Sequence, residues 1–438
     1  MPGASRRRRF LDAVPFLAPP EPLGDGQRRL LLVLGATVMI NHYDFGLLSL
    51  VLSHLQADLV IPESELGPMV SVIRLGALPS VLLALVADRV GRRRLLVGTL
   101  LAFTACTAAT AFARTAFEFM ALQFLARVFV TAEEFIAVVI VAEELGARSR
   151  GYGLGVLAAL GSLGNGVSAL AFGAIDLIPH GWRALYLLGA APLLLLAWIR
   201  RTIPETRRFE AHAEAASAGR AAAGGGLGAW FGPALELGRR YPGRMAVLVA
   251  AIVPATVVMT SAGTFVPKTL LERHGFGPGD ITTLYLTVGV FVLLGNVVAG
   301  RLADRVGRRA VVATALVVNA AGIWGFYNLA MPWVVVAWVA MMFCLVAVDV
   351  LFGALGSELF PTAFRSTASS IRALAWTLGG SIGLLIEGAL FGVVGDTHGE
   401  VLTVMLPVAL LAPLVIWFGL PETAARELED IAPDVAPG

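Results

Sequence analysis

The chain has 438 residues, of which 57% are hydrophobic and 15% charged, with a mean hydropathy of +0.78, against roughly 25% charged in a soluble domain. That excludes a water-soluble globular protein and predicts an integral membrane protein. The net charge of +2 is near neutral, so only its distribution is informative. Cys106 and Cys344 both fall inside apolar runs, so no disulfide is expected.

Residues 1–28 carry Arg6 to Arg9 and several prolines, and their longest apolar stretch, Val14 to Ala18, is too short for a signal-peptide core. A cytosolic tail is expected. Runs of about 20 apolar residues can cross the hydrocarbon as helices. Twelve are predicted, at 29–53, 68–90, 95–113, 117–141, 150–173, 182–200, 244–266, 280–302, 309–330, 332–356, 366–393 and 400–419. The expected organisation is an all-α membrane protein with twelve transmembrane helices in two pseudo-symmetric six-helix bundles, 29–201 and 241–420. Between them, residues 202–240 form a cytosolic linker that is partly helical, and 421–438 form a second tail. With both termini cytoplasmic, inner segments hold 26 of the 33 Arg and Lys residues. The outer loops hold four (Arg114, Arg183, Lys268, Arg273), and three lie within helices (Arg74, Arg127, Arg372). This positive-inside bias predicts an N-in, C-in topology.

Ionisable groups within spans are costly unless paired or hydrated, so each needs a reason. Span 1 carries Asn41, His42, Tyr43 and Asp44, and span 4 carries Arg127, Glu133 and Glu134. At about 1.5 Å per residue, Asp44 and Arg127 reach similar depth, where they can form a charge pair. Moving the guanidinium away would let desolvation favour a proton on Asp44; the alternative is a static pair that only fixes helix contacts. Only one of Glu133 and Glu134 can face a cavity with Arg127. His42 is expected to be a hydrogen-bonded packing residue. Arg74 in span 2 would either attract an anion or snorkel outward. In span 5, Gly155, Gly161, Gly164 and Gly166 let helices approach closely. Asp349 in span 10 stands opposite Glu134 in the repeat, and Arg372 in span 11 would bind a carboxylate or join an inner gate. Glu387 is placed near the outer end of span 11, in contact with water. Tyr43, Phe45, Tyr285, Trp324, Tyr327 and Trp376 offer rings to a flat ligand, though such rings are more often core or interface residues.

The internal repeat is the most specific signal. Ala-Asp-Arg-Val-Gly-Arg-Arg occurs at 87–93 and at 303–309, so that Asp88, Gly91 and Arg92 correspond to Asp304, Gly307 and Arg308. Glu143, Gly146 and Arg150 correspond to Glu358, Pro361 and Arg365 at an offset of 215, and Pro-Glu-Thr recurs at 204–206 and 421–423. Three ordered landmarks at one spacing signal two copies of one membrane half. The aspartates would cap neighbouring helix N-termini, and the Glu–Arg pairs would form a matching charge network.

Twelve spans with Asp-Arg-x-Gly-Arg-Arg after spans 2 and 8 resemble the major facilitator superfamily. Glu143 to Gly151, Glu358/Pro361/Arg365 and the doubled Pro-Glu-Thr look like the sugar-porter branch and its metabolite–proton symporter relatives. Asn41-His42-Tyr43-Asp44 is similar to the Asp-Gly-Tyr-Asp element of aromatic-acid–proton symporters, departing at the first two positions. The Gln-Gln pair of sugar porters is missing from span 7, which disfavours a hexose. In sugar porters and related symporters a helix-1 Asp and a helix-4 Arg couple protons, and Asp44 and Arg127 match them. The Gly-Pro pair of drug–proton antiporters is absent from span 5, which tilts the expectation towards import.

The resemblance implies proton symport of a small organic acid or similar polar metabolite by alternating access. Proton coupling falls to Asp44, Arg127, Glu133 and Glu134. Substrate contacts fall to Tyr43, Glu134, Asp349, Arg74, Arg372, Tyr285 and Trp376. A cytoplasmic gate is expected from Asp88, Gly91, Arg92, Glu143, Arg150, Asp304, Gly307, Arg308, Glu358 and Arg365. Rival readings are proton-driven efflux of an amphipathic compound and a membrane sensor that moves nothing. No nucleotide loop, nucleophile–base set or metal cluster is present in the sequence, so no enzyme, cofactor or metal is expected. The partners are a small molecule, protons and lipid, not nucleic acid, for a monomer in the inner membrane.

Overall fold

A computed structural model describes residues 21–80, 82–83, 92–146, 149–200, 227–361 and 364–420, with Pro19 and Glu422. Its helices are α1 (Asp25–Leu50), α2 (Leu52–Leu59), α3 (Glu63–Leu75), α4 (Arg92–Thr110), α5 (Ala116–Glu144), α6 (Arg150–Phe172), α7 (Trp182–Arg200) and α8 (Leu227–Arg240). They continue as α9 (Pro242–Glu272), α10 (Pro278–Val306), α11 (Arg308–Asn328), α12 (Trp333–Glu358), α13 (Arg365–Leu390) and α14 (His398–Gly419). Seven of these are long and apolar enough to cross a membrane. α5 has 29 residues and carries Glu118, Arg127, Glu133 and Glu134 along its length. With α2 extending the first span and α8 linking the halves, twelve helices take the places of the twelve predicted spans.

The packing repeats as the sequence does. In the first half α1 packs on α6 and α7, α4 on α5 and α7, and α3 on α5. In the second half α9 packs on α13 and α14, α11 on α12 and α14, and α10 on α12. Each pairing has its counterpart, so two bundles of one design are present. Between them, α3 meets α13 and α6 meets α10. Glycines bring the main helix pairs together. A Cβ on Gly164 would collide with the Met39 carbonyl of α1, and one on Gly383 would collide with the Val257 carbonyl of α9. Of the four span-5 glycines, Gly161 also touches α1 through His42, whereas Gly155 has open space and Gly166 only a distant side chain.

Two predicted boundaries change. Span 2 was expected as one helix over 68–90, but α3 begins at Glu63 and gives way to turns at 76–79. Pro79 has no N–H to continue the ladder, and Gly76, Ala77 and Leu78 instead bond three residues back, to Ile73, Arg74 and Leu75. Span 7 was expected to end at 266, leaving Lys268 in a loop. α9 runs on to Glu272 and buries Lys268 at 2% exposure. In the linker, α8 lies against α9 and α13; residues 201–226 lie outside the described residues.

Hydrogen bonds join the bundles at the arginine-poor face. Ser71 Oγ of α3 donates to the Ser381 carbonyl of α13 at 2.8 Å, and Thr282 Oγ1 of α10 donates to the Ala169 carbonyl of α6 at 2.5 Å.

Candidate functional site

Successive residues of α1 turn by about 100°, so Asn41 to Phe45 address five surroundings. Asn41 Nδ2 donates to Glu133 Oε2 of α5 at 2.7 Å, deep in the bundle. His42 lies against Gly161 of α6, with Nδ1 3.0 Å from the Val38 carbonyl and 3.6 Å from Glu134 Oε1. Tyr43 donates its hydroxyl to the Leu185 carbonyl of α7 at 2.9 Å. Asp44, 8% exposed, faces Thr107 and Gln123, and its Oδ1 has no hydrogen-bond partner. Phe45, in contrast, is 41% exposed.

Two guanidiniums converge on that ring. Arg127 of α5 lies over Phe45 at 4.2 Å and Arg74 of α3 at 6.0 Å. Gly76 makes the approach possible, because any Cβ there would press on the Phe124 carbonyl and the Arg127 side chain. The Arg74 Nε is buried without a partner. A guanidinium stacked on a ring keeps its in-plane N–H edge free for a carboxylate. The layer can therefore receive an anionic, flat molecule next to a carboxyl group that holds or releases a proton.

Several expectations are corrected here. Asp44 and Arg127 share the layer, but no ion pair within 4 Å joins them, because the guanidinium is on Phe45 and the carboxylate faces Thr107 and Gln123. Tyr43, expected among the substrate contacts, is buried with its hydroxyl bonded to α7. Arg74 turns inward rather than snorkelling. Glu133 is 0% exposed and bonded to Asn41, so Glu134, beside His42, is the more open of the two. In the second bundle, Arg372 Nη1 of α13 pairs with Asp349 Oδ1 of α12 at 2.7 Å, uniting two separate candidates. Tyr285 packs against Trp338 with ring centroids 5.0 Å apart, and Trp376 is half-buried against the same core. Tyr327 is buried and donates to the Ala262 carbonyl, while Trp324 stands exposed with its carbonyl bonded to Asn328.

The arginine-rich face is also rearranged. Asp88 and Gly91 lie outside the described residues, as does the side chain of Arg92. In the second copy Asp304 does not cap a helix. It pairs with Arg308 at 3.3 Å, one helical turn on, and Arg308 reaches Glu358 Oε1 at 2.6 Å. Glu358 thus pairs with Arg308 rather than Arg365, whose Nε is buried without a partner. The cap comes from Glu422 of Pro-Glu-Thr, which accepts the N–H groups of Arg308 at 2.8 Å and Arg309 at 3.3 Å. Gly307 makes room for it with φ of 115°, since a Cβ would stand 2.7 Å from Glu422 Oε2. A carboxylate there meets free N–H groups and the positive end of α11. In the first copy Arg150 stands exposed at the start of α6.

The sequence offered Glu422 only as part of the recurring Pro-Glu-Thr and Phe45 only as one of six rings, so the capping role of the first and the stacked guanidiniums on the second are additions from the structure. The recurrence of Pro-Glu-Thr was the available signal for the first, and the adjacency of Phe45 to Asp44 for the second.

Two like bundles around a layer of buried charges define a membrane transporter rather than an enzyme. The chain belongs to the Major Facilitator Superfamily, whose family model matches residues 34–291 and 247–436. It is similar to the gallate transporter of Pseudomonas putida, 28% identical over 428 residues, covering 92% of this chain and 91% of that one. It is also similar to the niacin transporter NiaP of Acinetobacter baylyi, 30% identical over 187 residues, 42% of each chain. Among solved structures, a D-xylose–proton symporter matches with a TM-score of 0.71 at 18% identity, covering 90% of this chain and 98% of that one.

Proposed function

We propose that the chain is a proton-coupled symporter that imports a small organic acid, aromatic carboxylates first, by alternating access. The observation that carries this reading is the convergence of Arg74 and Arg127 on the accessible Phe45 ring, beside an Asp44 oxygen that lacks a partner. The names of the gallate and niacin transporters point to the same substrate class.

Coupling follows from competition for one cation. With Asp44 ionised, Arg127 pairs with it and is withheld from substrate. With Asp44 protonated, the buried carboxyl no longer requires a counter-charge, and Arg127 rests on Phe45 with its edge open to a carboxylate. Substrate and proton are then taken up together. Arg74 adds a second donor set, and Glu134 with His42 can pass a proton along α1 and α5. The two bundles rock around this layer, with the Asp349–Arg372 pair on the opposite wall. The Glu358–Arg308–Asp304 chain and the Glu422 cap hold the cytoplasmic ends. The charge bias supports an inner-membrane location with both termini in the cytoplasm, and the protein acts as a monomer.

The test is proton flux in proteoliposomes containing a pH dye. Adding an aromatic carboxylate outside should acidify the lumen in step with its uptake, and carboxylate uptake without proton entry would overturn the proposal.

A further inference from the structure

A second set of titratable groups lies at the arginine-poor face, away from the Asp44 layer, and spans both bundles. Glu63 opens α3 in the first bundle. Its Oε1 is 3.0 Å from Lys268 Nζ of α9, and its Oε2 is 3.2 Å from His398 Nε2 of α14. Lys268 also meets Glu272 Oε1 at 2.5 Å and the Gln56 amide oxygen. His398 Nδ1 is 2.6 Å from Glu387 Oε1 of α13. Glu387 was expected to be in water, but it is 0% exposed and its Oε2 has no hydrogen-bond partner. The imidazole is stacked on Phe265 at 3.8 Å and 12°, with Phe391 at 5.1 Å. The remaining charged neighbours are committed elsewhere. Arg273 donates to the Tyr327 carbonyl, the Tyr327 hydroxyl donates to Ala262, and Glu400 accepts from the Asp396 and Thr397 N–H groups.

The bundles meet alongside this cluster at a glycine seam. A Cβ on Gly67 of α3 would stand 2.7 Å from Glu387 Oε2, and one on Gly388 of α13 would stand 2.6 Å from the Ser64 carbonyl.

We propose that Glu63, His398 and Glu387, with Lys268, form an outer latch that binds a proton on His398 and thereby holds the two bundles together at that face. The inference rests on the rocking-bundle reading but not on Asp44. An imidazolium donates from both nitrogens, to Glu387 within its own bundle and to Glu63 across the gap. A neutral ring has one N–H. That hydrogen stays with the shorter, fully buried Glu387 contact, and a lone pair then faces the Glu63 carboxylate. Loss of one proton therefore breaks the His398–Glu63 contact between the bundles and leaves the His398–Glu387 contact in place, with Lys268–Glu63 as the remaining tie across the gap. It also leaves Lys268 to balance the Glu63 and Glu272 carboxylates, with only a neutral N–H on Glu387.

Glu63 itself does not supply the pH response. Burial works against its charge, but hydrogen bonds from His398, Gln56 and Lys268 and the Lys268 charge outweigh this and hold its carboxyl at about 2, below an ordinary 4.5. A depressed carboxylate contributes at pH values above its ordinary range and is lost only as pH falls through about 2. The Lys268–Glu63 contact thus persists while His398 titrates. In an importer, protons at the outer face would close the outer side behind the incoming substrate.

The test uses full-length protein in nanodiscs without substrate. Cys106 and Cys344 are replaced, and spin labels are placed through Leu177→Cys and Val393→Cys, both exposed and outside the cluster. Distances are read by double electron–electron resonance across about pH 5.5 to about pH 8.5, the range in which histidine titrates. The outer-open fraction should rise with pH, by at most about tenfold in open-to-closed ratio per pH unit for one proton. His398→Gln should flatten the profile, and so should Glu63→Gln, which removes the cross-bundle acceptor charge while leaving the ring in place. Asp44→Asn should retain the profile, which separates failure of the latch from failure of the transport reading. A pH-independent distance in the parent protein, or an unchanged profile in Glu63→Gln, would overturn the proposal.

Discussion

Replacing Arg127 by Lys keeps the charge and removes the planar fork, which isolates what the Phe45 platform contributes. The guanidinium lies 4.2 Å over the ring, a stack worth about 2 kcal/mol when desolvated, of which an ammonium keeps only part. The fork also offers a carboxylate two parallel bonds, and losing one charge-assisted bond costs about 1.5–3 kcal/mol. Together the loss should be about 2–3 kcal/mol, or roughly 30- to 150-fold in Kd. The assay is equilibrium binding of a labelled aromatic carboxylate to detergent-purified protein at fixed acidic pH, where Asp44 does not compete. Phe45→Leu serves as the companion, since it removes the ring and leaves the donors, and should weaken binding by about 1 kcal/mol, near fivefold. If Arg127→Lys binds as tightly as the parent protein, the anion does not use this guanidinium, and the competition argument fails with it.

Two further outcomes follow from the packing and the termini. Glu422→Ala removes the acceptor for two N–H groups at the start of α11 and should cost about 1–2 kcal/mol, read as a Tm lowered by a few degrees. An unchanged Tm would show that the cap does not contribute. Gly383→Ala drives a Cβ into the Val257 carbonyl and should destabilise by about 1–3 kcal/mol or more. Gly263→Ala, in the same bundle with open space around it, should be neutral or slightly stabilising, and equal losses in both would refute the close-packing argument.

The architecture was legible because it is written twice. An apolar run of span length, repeated with Asp88 matched to Asp304 and Glu143 to Glu358, admits few arrangements in a bilayer. The depth of Asp44 and Arg127 was also legible, since rise per residue is nearly constant along a helix. Rotational phase was not. Whether Glu133 or Glu134 faces inward, and that Tyr43 turns to α7 while Phe45 does not, depends on how α1 sits against α5 and α6. Side-chain choice among several possible partners was hidden as well. Glu358 has Arg308 and Arg365 within plausible reach by sequence, and only packing selects Arg308. The latch was not legible because its four groups belong to four helix ends, separated by up to 335 residues, and Lys268 and Glu387 taken alone resembled wet residues at the outer face.

Asp44→Asn, tested in proteoliposomes for both uphill accumulation and exchange of a labelled carboxylate, addresses the central claim most directly. The asparagine mimics the protonated acid but cannot release a proton, so Arg127 stays available to substrate at every pH. Exchange should persist, and accumulation driven by an imposed proton gradient should vanish. Accumulation equal to that of the parent protein would place the coupling proton elsewhere and contradict the account.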